Sequence, residues 1–227
     1  ASYSAVAINN TRLYEAAHDQ AWVATVLLQV AEATQSITSM AELLETVVRI
    51  IPRLIGLKSC VLFTWDEITE TFQPASAYGL NADQLQDFSS WQIAPGDVIA
   101  FDHIIEDKFP IIIDQTILPE VDSFHKFKSL DIEHELWGLF PMMAQNSVRG
   151  AIMINFISPE GFLPNSQELF EEKFLIIQGI ANQTAVALEN IMLIQAQEEE
   201  AYTSVALLQV AQAIVSINNL DEIIGII

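Results

Sequence analysis

Cysteine and basic side chains are scarce in this chain. Its 227 residues hold one cysteine, Cys60, and nine lysines and arginines against 30 aspartates and glutamates, a formal charge of −21. One cysteine makes no internal disulfide, no Cys-x-x-Cys pair and no Cys/His zinc cluster, which suits a reducing compartment and makes the cytoplasm the expected location. So much negative charge repels phosphate backbones and anionic lipid headgroups, so neither nucleic acid nor a membrane surface is an expected partner. Long apolar runs are missing too. The richest stretches are broken by Arg49, Pro52 and Arg53, and by Glu189, Asn190 and Gln195, short of the roughly 18 residues a spanning helix needs. The opening ASYSAVAINNTRLYEAAHDQ lacks a basic end followed by an apolar core, so no export signal is expected there. No phosphate-binding glycine loop, nucleophile elbow or His-Glu-x-x-His spacing occurs, which leaves phosphoryl and acyl transfer without candidate residues.

What is present is apolar content, 51% of residues, ample for a packed core, and an internal repeat. An offset of 180 positions lays Ala5–Ile37 on Ala185–Ile217 without a gap. Leu27, Leu28, Gln29, Val30 and Ala31 recur as Leu207, Leu208, Gln209, Val210 and Ala211, and Asn10 and Leu13 recur as Asn190 and Leu193. A period this long is a whole domain plus a connector, not a solenoid repeat. The expected organisation is the end of a preceding domain or connector helix at 1–20, one domain at 21–195, and a connector helix with the start of a following copy at 196–227.

Residues 5–35 contain neither proline nor glycine and are rich in Ala, Leu, Glu and Gln, which predicts one long helix. Ser39-Met-Ala-Glu42 has the spacing of a capping box ahead of apolar Leu43, Leu44, Val47, Val48, Ile51 and Leu54. Cys60–Trp65 and Thr71–Tyr78 flank a polar turn and read as a hairpin. A short helix is expected after Asn81, and Pro95-Gly96-Asp97 reads as a turn whose Asp caps a helix ending near Lys108. Phe109–Asp114 reads as a strand, 115–134 as loop with a short helix, and Leu136–Ala144 with Gly150–Ile157 as a second hairpin. Ser166 opens a closing helix. The expected fold class is α+β: a central, mostly antiparallel sheet with helices on both sides and long N- and C-terminal helices.

Three stretches carry a family resemblance. Trp91–Asp114, Gly138–Met143 with Val148–Ile154, and Phe162–Glu168 with Ile180–Asn190 resemble, in order and spacing, the middle, late hairpin and closing helix of GAF domains. The resemblance spans about residues 21–195. It implies a sensory or regulatory module, and it names no ligand, because GAF relatives bind cyclic nucleotides, bilins, haem, small metabolites or nothing. Relatives that attach a bilin do so through a cysteine after the middle strand; Val121–Leu130 has none, so no covalent bilin is expected and the cofactor is unknown. The cyclic-nucleotide motif of phosphodiesterase relatives is matched at Asn155 and Phe162, but Phe156 replaces its Lys and Ser166-Gln167 its acidic pair. Methionine-sulfoxide-reducing relatives need several cysteines, and Cys60 is alone.

Asp131, Glu133, His134 and Glu135 read as a solvated charge cluster, so no metal site is expected. Trp91, Phe101, His103, His125 and His134 are the candidate ligand residues, on the segment that in GAF folds walls the pocket over the sheet. Leu13, Leu27, Leu193 and Leu207 fall on a heptad-like seam of the terminal helices, which gives a parallel homodimer as the expected assembly. The chain is therefore expected to be a non-catalytic module that binds a small molecule or relays movement through its linker helices to an effector domain outside it. The alternative is a dimerising spacer with no ligand.

Overall fold

The computed structural model describes residues 24, 25, 28, 31, 32, 37, 39–113, 136–156 and 167–224. Residues 24, 25, 28, 31 and 32 are helical, and the rest of the expected N-terminal helix lies outside the described residues. Contacts divide the chain into two units, Ala1–Leu188 and Glu189–Ile227.

The first unit is built on a five-stranded sheet. Helix α1, Met40–Ile55, repeats apolar residues at three- and four-residue spacing, so Leu43, Leu44, Val47, Val48, Ile51 and Ile55 share one buried face. That face packs against the first two strands. The capping box expected at Ser39–Glu42 does not form. Ser39 holds the N-cap position without a side-chain bond; both side chains are exposed, where water can satisfy the first-turn N–H groups. The helix stops at Gly56, whose φ of +70° is open to glycine, and the Gly56 N–H donates to the Pro52 carbonyl at 2.8 Å.

Strands β1 (Ser59–Asp66), β2 (Thr71–Tyr78), β3 (Ile111–Ile113), β4 (Leu136–Ala144) and β5 (Ser147–Phe156) lie in the order β2-β1-β5-β4-β3, every pair antiparallel. Asp66 closes the β1–β2 turn: its Oδ1 accepts from the Ile68 N–H at 2.8 Å and the Thr69 N–H at 3.3 Å. The β4–β5 turn is made by Gln145 and Asn146, both at positive φ, the mirror-image turn that matches strand twist. Pairing starts at Ser147, earlier than the expected Gly150. Gly150 is needed for closeness: a Cβ there would come within 2.2 Å of the Phe63 carbonyl oxygen on β1.

Between β2 and β3 lie α2 (Ala82–Ser89) and α3 (Ile99–Glu106). A capping box does form at α2, where Asn81 and Gln84 exchange side-chain-to-backbone bonds of 2.9 Å in both directions. Asp97 does not cap α3, contrary to expectation; its carboxylate accepts from the Ala94 N–H at 3.1 Å and locks the preceding turn, leaving Val98 as N-cap. The strand expected at Phe109–Asp114 begins only at Ile111 and is described to Ile113, Asp114 lying outside the described residues, and Phe109 is 73% exposed.

One face of the sheet carries Val61, Phe63, Leu139, Ala151 and Met153, covered by Phe88 of α2 and by Ala100, Phe101 and Ile104 of α3. The alternate residues, Cys60, Leu62, Phe140, Met142, Ile152 and Ile154, are buried on the opposite face. There the Phe140 and Phe174 rings lie 4.7 Å apart. Phe174 belongs to α4, Gln167–Ile224, one continuous helix. In the first unit α4 buries Ile176, Ile177, Ile180, Ala181, Ala185 and Leu188, and Gln178 Nε2 donates to the Pro141 carbonyl at 3.1 Å.

The second unit, taken alone, is the remainder of that helix. From Glu189 to Ile224 it measures about 54 Å at 1.5 Å per residue. Every residue from Met192 to Gln212 is exposed. Among the described residues, no helix is long and apolar enough to cross a membrane.

Candidate functional site

The two ends of the sheet face under α2 and α3 differ. At one end Phe63 is the hub of a ring cluster: Phe88 meets it edge-on at 5.4 Å, Phe101 edge-on at 5.2 Å, and Trp91 stacks on it at 6.2 Å. Phe72 extends the cluster to Phe101 and to Trp65, at 5.0 and 4.8 Å. Edge-to-face pairs place ring hydrogens on the negative faces of neighbouring rings, so the cluster is well matched as well as close-packed.

The structure thus brings Trp91 and Phe101 together, both almost fully buried, as ring neighbours of Phe63. His103 is not with them. It lies half-exposed on α3, its Nδ1 2.9 Å from Asp107 Oδ2 one turn on. His125 and His134 lie outside the described residues, as do Asp131, Glu133 and Glu135. No group of three or more metal-binding side chains occurs among the described residues.

At the other end of the same face the sheet becomes polar. Register pairs Ser59 with Asn155, and Asn155 with Trp137, so three polar side chains cross β1, β5 and β4 in one row. Ile113 of β3 completes the row beside Trp137. All are buried: Ser59 at 3%, Asn155 and Trp137 at 1% relative exposure. The Trp137 indole Nε1–H has no hydrogen-bond partner among the described residues, although an indole buries comfortably only with its N–H engaged. Phe63 lies four positions after Ser59 along β1, so the row lies about 13 Å from the ring hub.

The sequence marks Asn155 as a partial motif match and does not single out Trp137. A polar Asn ending the apolar run Ile152-Met-Ile-Asn155 was the available signal. The row itself, made of residues from three distant strands, depends on register.

The nucleophile inventory is short. Cys60 faces away from this row, is fully buried, and burial pushes its thiol far above the ordinary range, so it is a poor thiolate. A shallow depression lined by Gln195, Glu198, Glu199, Tyr202 and Thr203 comes from one helix face and encloses nothing. Of the seam residues, Leu193 and Leu207 are 52% and 65% exposed, while Leu13 and Leu27 lie outside the described residues.

No protein-family model matches the chain, and a comparison with curated proteins gives no significant match. Solved structures do match. The GAF domain of a phosphoenolpyruvate-protein phosphotransferase from Coxiella burnetii is 18% identical, with a TM-score of 0.59 over 77% of this chain and 96% of that one. A GAF domain/HD domain protein from Geobacter sulfurreducens is 16% identical, with a TM-score of 0.55 over 70% of this chain and 98% of that one. A free methionine-R-sulfoxide reductase from Neisseria meningitidis, solved with its substrate, is 12% identical, with a TM-score of 0.56 over 77% and 92%. The five-stranded antiparallel sheet, its flanking helices and these likenesses together show that the chain has the GAF-domain fold.

Proposed function

We propose that the chain is a non-catalytic regulatory GAF module that works as a parallel homodimer and passes conformational change along α4 to an effector domain. The observation that carries this reading is the surface of the helix from Met192 to Gln212. Leu193, Ile194, Val205, Leu207, Leu208 and Val210 are each more than half exposed, and an isolated helix with that much bare apolar surface gains its stability from a partner. A second copy is a natural partner because Leu193 and Leu207 fall two heptads apart on one seam. The polar residues between them, Gln197, Glu200 and Ser204, keep the seam weak, which lets a helix pair hold more than one packing.

Two of the similar structures are described as a domain of a phosphotransferase and as a GAF domain/HD domain protein, which supports a module that serves another domain. The sulfoxide reductase shows that this fold can host chemistry. Against that role here stand the single cysteine and its depth in the core. The test is sedimentation velocity of the chain and of the double variant Leu193→Glu/Leu207→Glu. A parent dimer and a folded monomeric variant support the proposal; a parent that stays monomeric at high micromolar concentration, or a variant that dimerises equally well, overturns it.

The filled ring cluster around Phe63 favours a second reading, a dimerising spacer with no ligand. A small molecule retained by the purified protein would separate the two.

A further inference from the structure

We infer that the buried row Ser59, Asn155, Trp137 is the polar floor of a small-molecule site that takes an uncharged planar compound presenting a carbonyl-type acceptor to the Trp137 indole N–H. This rests on the ligand-responsive form of the regulatory reading above, and it identifies the class of ligand.

Three observations carry it. The first is the orphaned donor. Trp137 is 1% exposed and its Nε1–H has no partner among the described residues; a buried donor left unmade is costly in every folded molecule, so its retention calls for an occupant that supplies the acceptor. Indole donates and never accepts, which fixes the polarity of the ligand atom facing it.

The second is the company the donor keeps. Asn155, set opposite Trp137 by register, carries a side-chain amide, and Ser59 stands beyond it with a hydroxyl. A few convergent polar groups on an apolar floor is the usual composition of a small-molecule site. The rest of the row and the next row toward the ring cluster are Ile113, Val61, Met153 and Leu139, flat apolar surface suited to a ring.

The third is charge. The buried polar residues among those described are Ser59, Thr71, Asn155 and Thr184, so no Lys, Arg, His, Asp or Glu is buried on this face among the described residues. An ionised ligand there would leave water without a counter-charge, which disfavours anions such as nucleotides and carboxylates. The ring cluster around Phe63 is already filled by its own side chains, so the polar end is where a ligand gains most.

The test uses the full chain labelled with 15N-tryptophan, after heat extraction and refolding to remove any retained compound, with the Trp137 indole resonance identified by its loss in Trp137→Phe. Three probes share one ring: benzamide, which is neutral with a carbonyl; benzoate, which is charged; and toluene, which has no acceptor. With benzamide in the low-millimolar range expected of a nine-atom fragment, the Trp137 N–H should move downfield and exchange more slowly with water, with neither benzoate nor toluene reproducing the move. Trp137→Phe should stay folded and lose measurable benzamide affinity at least tenfold, whereas Trp91→Phe should keep it. A Trp137 resonance already at a hydrogen-bonded position in the stripped protein, or one that ignores benzamide at about 10 mM, overturns the site. Sedimentation of the same samples separates the two proposals: a dimer whose Trp137 does not respond keeps the helix relay and removes the site, while a monomer whose Trp137 responds keeps the site and removes the relay.

Discussion

Two consecutive stretches of α4 are about equally apolar and are used differently. Between Lys173 and Ile191 the apolar residues recur on one side, and Ile176, Ile177, Ile180 and Ala181 sink to 1% exposure or less. Between Met192 and Gln212 apolar residues are as frequent, yet none is buried. Helix propensity treats the two stretches alike, so composition explains why both are helical. Burial requires a complementary surface, and the first unit supplies one through its sheet. The contrast separates forming a helix from stabilising a domain, which a sequence merges into one periodic pattern.

The largest effect that can break this comparison is a matched pair of truncations. Ile180→Ala, at a site with no exposure, should lower unfolding free energy by about 2 to 5 kcal/mol through lost transfer energy and the cavity left behind. Leu207→Ala, at 65% exposure, should change it by less than about 0.5 kcal/mol in monomeric protein. Urea titrations monitored by tryptophan fluorescence measure both. Equal losses at the two positions would mean that the second stretch is held as firmly as the first.

A smaller and sharper comparison uses one hydroxyl bond that occurs in both stretches. Thr184 donates to the Ile180 carbonyl at 2.7 Å in the buried part, and Thr203 donates to the Glu199 carbonyl at 2.9 Å in the exposed part. Thr184→Ala removes a satisfied buried group and its methyl, and should cost about 1 kcal/mol. Thr203→Ala replaces a poor helix former with the best one at a solvated site and should stabilise the helix by a few tenths of a kcal/mol. The two substitutions should therefore differ in sign, read as opposite shifts of the urea midpoint or of helical circular dichroism on heating.

The smallest effect extends the comparison to side chains that are partly exposed yet held. Asp66 is partly exposed, and N–H bonds from Ile68 first and then Thr69 hold its carboxyl below the usual aspartate range. A depressed folded-state value means the contribution is present above the unfolded value and is lost as pH falls through the folded one. Asp66→Asn should flatten the acid limb of the stability profile below about pH 4 and leave the neutral region almost unchanged. Denaturation midpoints between pH 2 and 7 give the answer; an unaltered acid limb would show the turn bonds to be energetically silent.

The parts of this architecture legible in the chain were those decided locally. The β4–β5 hairpin was legible because Gln145 and Asn146 interrupt two apolar runs, and α4 because Gly179 is the only helix breaker between Gln167 and Asn219. Caps were less legible: Ser39 had the right spacing and makes no side-chain cap bond, while Asn81-x-x-Gln84 formed the box. Aromatic content singled out Trp91 and Phe101 as candidate ligand residues, but whether rings fill their own space depends on how Phe63, Phe88 and Phe101 meet in three dimensions. The polar row was the least legible feature. Alternation tells which face Trp137 and Asn155 occupy, whereas their adjacency depends on a strand register that no local pattern encodes. His103 shows the converse: its place on α3 was anticipated, and a half-turn of helix decides that it points to solvent and Asp107.

The burial of Cys60 turns the molecule into its own clock. A thiol with no exposure and a strongly suppressed thiolate does not meet an alkylating reagent in the folded state. Modification has to wait for β1 to leave the sheet. Since β1 is paired on both edges, by β2 and by β5, that event is close to global opening. When reclosing outpaces the reagent, the labelling rate is the opening equilibrium multiplied by the free-thiol rate; when the reagent is faster, it is the unfolding rate itself. Because the chain contains one cysteine, a single mass increment on the intact protein would report either quantity in native buffer, with no denaturant and no added label site.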